Sequence, residues 1–192
     1  MTWWFKARRG HLLLPLAVVL FAVGLYVVQS NTVLLPSLTG SPRIALSLFV
    51  PIPLLALLMA ALESRLPAAE VSGVRSMTRL DNTLVTAVLA AAVLCSVLVA
   101  AVQGSAQATT GGRNAMFLTG LMLLGRAWGG QAAVMIPVGW LVTVVLIGFR
   151  GNLPYFWTVI ALPPDSVSAA AASLVAFIVG LAAQIRSSRK TA

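Results

Sequence analysis

The chain has 192 residues, 59% of them hydrophobic and only 9% charged, with 13 Lys and Arg against 4 Asp and Glu. An ordinary globular domain carries roughly 25% charged residues, and a soluble fold of this length has no interior for so much apolar surface, so the solvent is expected to be lipid. The formal charge of +9 would suit nucleic acid in a soluble protein, but here the basic residues stand between hydrophobic runs. They read as topology signals, and no nucleic-acid partner is expected.

The N-terminal stretch "KARRGHLLLPLAVVLFAVGLYVV" begins like a secretory signal. Its apolar run, Leu12 to Val28, exceeds the 7–15 residues of a cleavable core and no A-x-A site follows, so an uncleaved first spanning helix is expected over Leu12–Gln29. His11, the one histidine, simply flanks it. A second helix is expected over Ile44–Leu62, bent at Pro51 and Pro53, where a proline removes a backbone donor and crowds the preceding turn. A third covers Thr83–Val102, with Asp81, Asn82 or Thr83 as N-cap. It contains Cys95, the one cysteine, so no disulfide can form within the chain.

The stretch from Ala115 to Phe149 is harder to divide. As one helix it would be about 52 Å long, too long for a single crossing. As two, at about 115–127 and 132–149, it needs a break, which "GRAWGG" supplies. The basic residues favour two. With six spanning helices and both termini cytoplasmic, ten of the thirteen Lys and Arg lie inside and only Arg43, Arg113 and Arg150 outside. A sixth helix over Val167–Ile185 is capped by Asp165 or Ser166. "GSAQATTGG", residues 104 to 112, reads as a plain flexible loop. "GNLPYFWTVIALPPD", residues 151 to 165, is apolar, bounded by prolines and aromatic, and reads as an interfacial or re-entrant segment. The expected fold is therefore an all-α integral membrane protein forming one transmembrane domain, residues 1–192.

Catalysis lacks its residues. The sequence has no HExxH, no cluster of Cys or His, no carboxylate pair inside a predicted helix, no GxSxG and no G-x-x-x-x-G-K-[ST]. Its two lysines, Lys6 and Lys190, are terminal. No catalytic residue, metal or cofactor is expected in this chain, and proton relays are disfavoured because all four acids fall in connections. Two other features remain. In the last helix Ala169, Ser173, Ala176 and Gly180 recur at helical spacing, a seam of small residues suited to close packing either within the chain or between subunits. The mixed-sign connection "ESRLPAAEVSGVRSMTRLDN", residues 63 to 82, carries three of the four acids. Val71 and Val74 form an apolar stripe there, Arg75 and Arg79 stand at i, i+4, and Glu63 and Glu70 flank them. Such a segment suits either an anionic lipid surface or a protein partner. The acids favour the partner, because they would face headgroups of like sign.

Six helices, a charged amphipathic cytoplasmic segment between the second and third, and an apolar element before the sixth together resemble the ABC-2 type exporter permease. The stretch "RNAMFLTGLMLLGRAWGG" followed by "MIPVGWLVTVVLIG", residues 113 to 148, is similar to a pattern of small permease-like proteins of high-GC actinobacteria. The resemblance implies a bacterial plasma-membrane protein that pairs with a second membrane subunit. It also implies a separate ATPase subunit, holding the ATP and Mg, docked on the 63–82 segment at Glu63, Glu70, Val71, Val74, Arg75 and Arg79. An apolar interior suits lipid-like or peptide cargo. Without the resemblance, the same features also fit a non-transporting scaffold or immunity protein that recruits some other partner through residues 63–82.

Overall fold

The computed structural model describes residues 10–28, 31–38, 40–64 and 77–190. Six α-helices make up most of them: α1 (Gly10–Val28), α2 (Pro51–Glu63), α3 (Met77–Gln103), α4 (Thr109–Gly129), α5 (Met135–Ile147) and α6 (Val167–Lys190). Three helical stretches, Leu46–Glu63, Leu80–Gln103 and Val167–Ser187, are long and apolar enough to cross a membrane, and Leu12–Val28 and Ala132–Ile147 are shorter apolar helices.

Several boundaries differ from the sequence reading for identifiable reasons. The second helix does not start at Ile44 and is not bent at its prolines. Ile44 pairs in a short strand, a 3-10 turn covers Leu46–Leu48, and the α-helix starts at Pro51. Proline is at home in a first turn, where its missing N–H has no intrahelical partner in any case. The third helix starts four residues before Asp81, so Asp81, Asn82 and Thr83 are not its cap. It ends at Gly104, whose φ of +62° lets Ser105 donate its N–H back to the Ala100 carbonyl, closing the helix in a Schellman motif. Thr109–Gly112 is the first turn of α4 and not loop. At α6, Ser166 is the cap, its Oγ accepting the Ala169 N–H at 3.3 Å.

The 115–149 stretch is broken, with α4 ending at Gly129 and a 3-10 segment, Gly130–Val134, leading into α5. The two helices form an antiparallel hairpin. Gly125 has no side chain, which leaves room for Ala133 and Ile136 to fold back over it, and further along Trp140 meets Phe117 at 5.6 Å between ring centroids.

Helix α4 is the centre of the bundle. Twelve of its 21 residues are buried, including glycines that admit neighbours closely: Gly111 faces Leu25 of α1, Gly112 faces Val93 and Ser96 of α3, and Gly120 faces the backbone of Ala176 in α6. Helices α4 and α6 run in the same direction, since Arg113 lies beside Leu162 and Pro163, Gly120 beside Ala176, and Leu123 beside Gly180. Large apolar side chains are outside as well as inside. Leu16, Val23, Leu94, Val97, Leu174 and Ile178 are among many left exposed on α1, α3 and α6, the inverse of a soluble bundle. Several hydroxyls within the helices are satisfied locally, with Thr86, Ser96, Thr143 and Ser173 each donating to the carbonyl four residues back. That is the economical solution where no water is at hand.

Two hairpins too short to be read from sequence close one end of the bundle. Strands β1 (Thr32–Leu34) and β2 (Arg43–Ala45) pair antiparallel between α1 and α2, and β3 (Phe149–Arg150) and β4 (Leu153–Pro154) do so after α5.

Candidate functional site

The arrangement with most chemical content is an ionic knot where three helices end. Arg126, in the last turn of α4, donates from Nε to Glu63 Oε1 at 2.9 Å and from Nη2 to the Leu62 carbonyl at 3.4 Å, while Nη1 lies 3.9 Å from Asp81 Oδ2. Glu63 is the last residue of α2 and Asp81 lies in the second turn of α3. Their side chains are 25% and 1% exposed, and that of Arg126 is 8% exposed.

The helix ends explain why these residues meet. The last carbonyls of α2 and α4 have no intrahelical donors, and the dipoles leave partial negative charge there, so a guanidinium beside both is favoured. Arginine rather than lysine suits the position, since its planar fork reaches a carboxylate, a carbonyl and a second acid at once. A guanidinium only 8% exposed needs its charge compensated, and Glu63, Asp81 and the Leu62 carbonyl lie against it.

Glu63, named from the sequence as a docking contact, is 25% exposed and has its carboxylate engaged by Arg126. Glu70, Val71, Val74 and Arg75 lie outside the described residues, and of Arg79 only the helical backbone is described. What the fold adds is that both ends of the 63–82 connection are tied to one side chain. Sequence reasoning missed this pairing. The available signal was an arginine in the last turn of one predicted helix, with acids closing and opening two others.

The predicted seam of Ala169, Ser173, Ala176 and Gly180 faces α4 of the same chain. Ala169, Ser173 and Gly180 are buried, and a Cβ placed on Gly180 would lie 2.6 Å from the Gly120 carbonyl oxygen. These four residues are occupied within the subunit.

A second polar clasp holds the opposite end. Arg113 donates from Nη1 to the Pro163 carbonyl at 2.7 Å and from Nη2 to the Leu162 carbonyl at 2.6 Å, and buried Asn114 donates to the Ile160 carbonyl at 2.9 Å. The 151–165 segment is irregular and rich in proline, and α4 supplies side-chain donors to its Ile160, Leu162 and Pro163 carbonyls. A run of aromatic contacts continues from the clasp: Trp140 against Trp157 at 6.0 Å, and Trp157 stacked on Tyr155 at 6.3 Å.

Among the described residues no group of three or more His, Cys, Asp or Glu is placed to hold a metal ion. The chain is thus a mostly helical protein with three helices fit to cross a membrane, centred on one helix that is clamped by an arginine at each end. Comparison with protein-family models, with curated proteins and with solved structures finds no match.

Proposed function

We propose that this chain is the membrane-spanning permease subunit of an ATP-driven exporter in a bacterial plasma membrane. It crosses six times with both termini in the cytoplasm and works with a second membrane subunit and a separate ATPase subunit. The observation that carries this reading is the Arg126 knot. A partner that pushes on residues 63–82 moves the end of α2 and the start of α3, and through one buried side chain it moves the end of α4 and the turn into α5. That is a transmission element between a cytoplasmic surface and the centre of the bundle, as an exporter driven from outside the membrane requires. ATP hydrolysis belongs to the partner, and the apolar helix faces suit a lipid-like or peptide cargo.

The test is co-purification from native membranes in detergent, where lipid binding cannot imitate partner binding. An ATP-hydrolysing subunit is expected to accompany the wild-type chain. Arg75→Glu with Arg79→Glu is expected to weaken its retention by roughly tenfold to a hundredfold, two ion pairs being replaced by repulsion, while the variant remains inserted. Co-purification of a protein without ATPase activity would favour the scaffold reading. Equal retention of an ATPase by wild type and variant would remove residues 63–82 as its dock.

A further inference from the structure

The cap at the Arg113 end of the bundle is more ordered than a pair of loops needs to be. The first hairpin is tied to its neighbours: Leu38 donates its N–H to the Leu146 carbonyl of α5 at 3.0 Å, and Arg43 donates its N–H to Asn152 Oδ1 in the turn of the second hairpin at 3.1 Å. Gly151, at φ +62°, occupies the first central position of the two-residue turn between Arg150 and Leu153, where positive φ matches the twist of the strands. These bonds join the two hairpins into one cap.

Its surface combines two features. Arg43 and Arg150 are exposed, and no ion pair or side-chain hydrogen bond among the described residues engages either guanidinium. Arg113 is already committed to carbonyls, and Asp165, which follows the clasped Leu162 and Pro163, is the one described acid at this end. Beside the arginines stand large apolar side chains with no cover: Leu34 across the β1–β2 ladder from Arg43, Leu38, Leu153 at 74% exposure across from Arg150, and Phe156 at 87%. Free guanidinium and bare apolar side chains on one cap, at the ends of helices whose outer faces are apolar, match a molecule that is anionic at one end and hydrocarbon at the other.

We propose that the laced hairpins form a headgroup shelf selective for anionic phospholipid in the leaflet at this end of the bundle. Arg43 and Arg150 hold the phosphate, and Leu153 and Phe156 lie against the upper acyl chains. Phosphate is the shared recognition chemistry, and the lipid is the source, because a free phosphate would leave the apolar half of the shelf unused. The shelf rests on the membrane reading and not on the exporter reading.

The experiment uses the full chain in nanodiscs, with insertion verified separately by resistance of the membrane-bound chain to carbonate extraction. A phosphatidylglycerol bearing a photoreactive group near its headgroup is cross-linked and the adducts are mapped by peptide mass spectrometry. Label is expected in residues 33–43 and 149–157, displaced by unlabelled phosphatidylglycerol and not by phosphatidylcholine or soluble glycerol phosphate. Arg43→Gln with Arg150→Gln is expected to lower that label by about tenfold or more, and Arg186→Gln, on the far end of α6, to leave it within twofold. Leu153→Ser with Phe156→Ser, which keeps both arginines, is expected to weaken labelling as well. Displacement by phosphatidylcholine, displacement by glycerol phosphate, or label unchanged in the double arginine variant would each overturn the proposal. So would cross-links from Phe156 to a second copy of the chain.

Discussion

The two arginines of α4 show how differently one residue type is used 13 positions, about 20 Å, apart. Arg113 satisfies neutral carbonyls of an irregular segment, whereas Arg126 neutralises acids from two other helices. Removing Arg126 takes a cation away from both Glu63 and Asp81, the latter 1% exposed. Arg126→Ala is therefore expected to cost roughly 3–5 kcal/mol, a fall in Tm of about 10 °C for a chain of this size. Glu63→Gln, at a partly exposed position, keeps a hydrogen-bond acceptor and is expected to cost only about 1 kcal/mol. Thermal unfolding in detergent distinguishes the two. Equal effects would mean that Arg126 acts through its pairing with Glu63 alone and that Asp81 is held by other groups. Sequence showed each of these residues to be near a helix end, but not that they meet, because an ion pair spanning 63 positions leaves no local periodicity.

At the scale of elements, hydrophobic run length made the helices legible, since crossing hydrocarbon imposes a length that no loop imitates. Their ends were less legible. Pro51 and Pro53 carry the same letters whether they bend a helix or begin one, and the choice was made by Ile44 pairing with Val33 and drawing the preceding residues out of the helix. Strands of two or three residues have no alternation long enough to detect, so the cap that carries the lipid proposal was invisible. The small residues of α6 were visible, but their partner was not, since any close-packed helix would satisfy the same pattern. The structure gives that partner as α4 and makes the contact testable. A Cβ on Gly120 would fall 2.5 Å from the backbone C and O of Ala176, atoms that cannot rotate aside, whereas a Cβ on Gly129 meets nothing within 4 Å. Gly120→Ala is expected to push α4 and α6 apart at a cost of about 1–3 kcal/mol. Gly129→Ala is expected to be neutral within about 0.5 kcal/mol. The comparison is thermal unfolding of both variants in one detergent, and a neutral Gly120→Ala would mean that the two helices do not pack this closely.

For the whole molecule, contacts sort the helix ends into two groups. Glu63, Asp81 and Arg126 gather the end of α2, the start of α3 and the end of α4, and Gly125 brings the start of α5 to the same side. At the other side Gln103 donates to the Tyr26 carbonyl, tying the ends of α3 and α1, Leu38 reaches the end of α5, and Arg113 holds the approach to α6. Successive helices therefore alternate in direction, and the basic residues can be counted against that alternation independently of any packing. Arg43, Arg113 and Arg150 fall on the clasp side and Arg126 and Arg186 on the knot side, with Arg65, Arg75 and Arg79 in the connection that joins the two knotted helices. If the bundle lies in a membrane, the positive-inside bias places the knot in the cytoplasm and the clasp outside. Single cysteines added to a Cys95→Ser background, at residues 67, 106, 152 and 192, make the test with a membrane-impermeant thiol reagent on intact cells. Positions 106 and 152 are expected to label from outside, and positions 67 and 192 only after the cells are opened. Labelling of 192 from outside with 67 still protected would mean an odd number of crossings between them and would end the exporter reading. Labelling of 67 from outside, with 106 and 152 protected, would mean that the bundle is inverted, placing the lipid shelf in the cytoplasmic leaflet and the 63–82 segment out of reach of any ATPase.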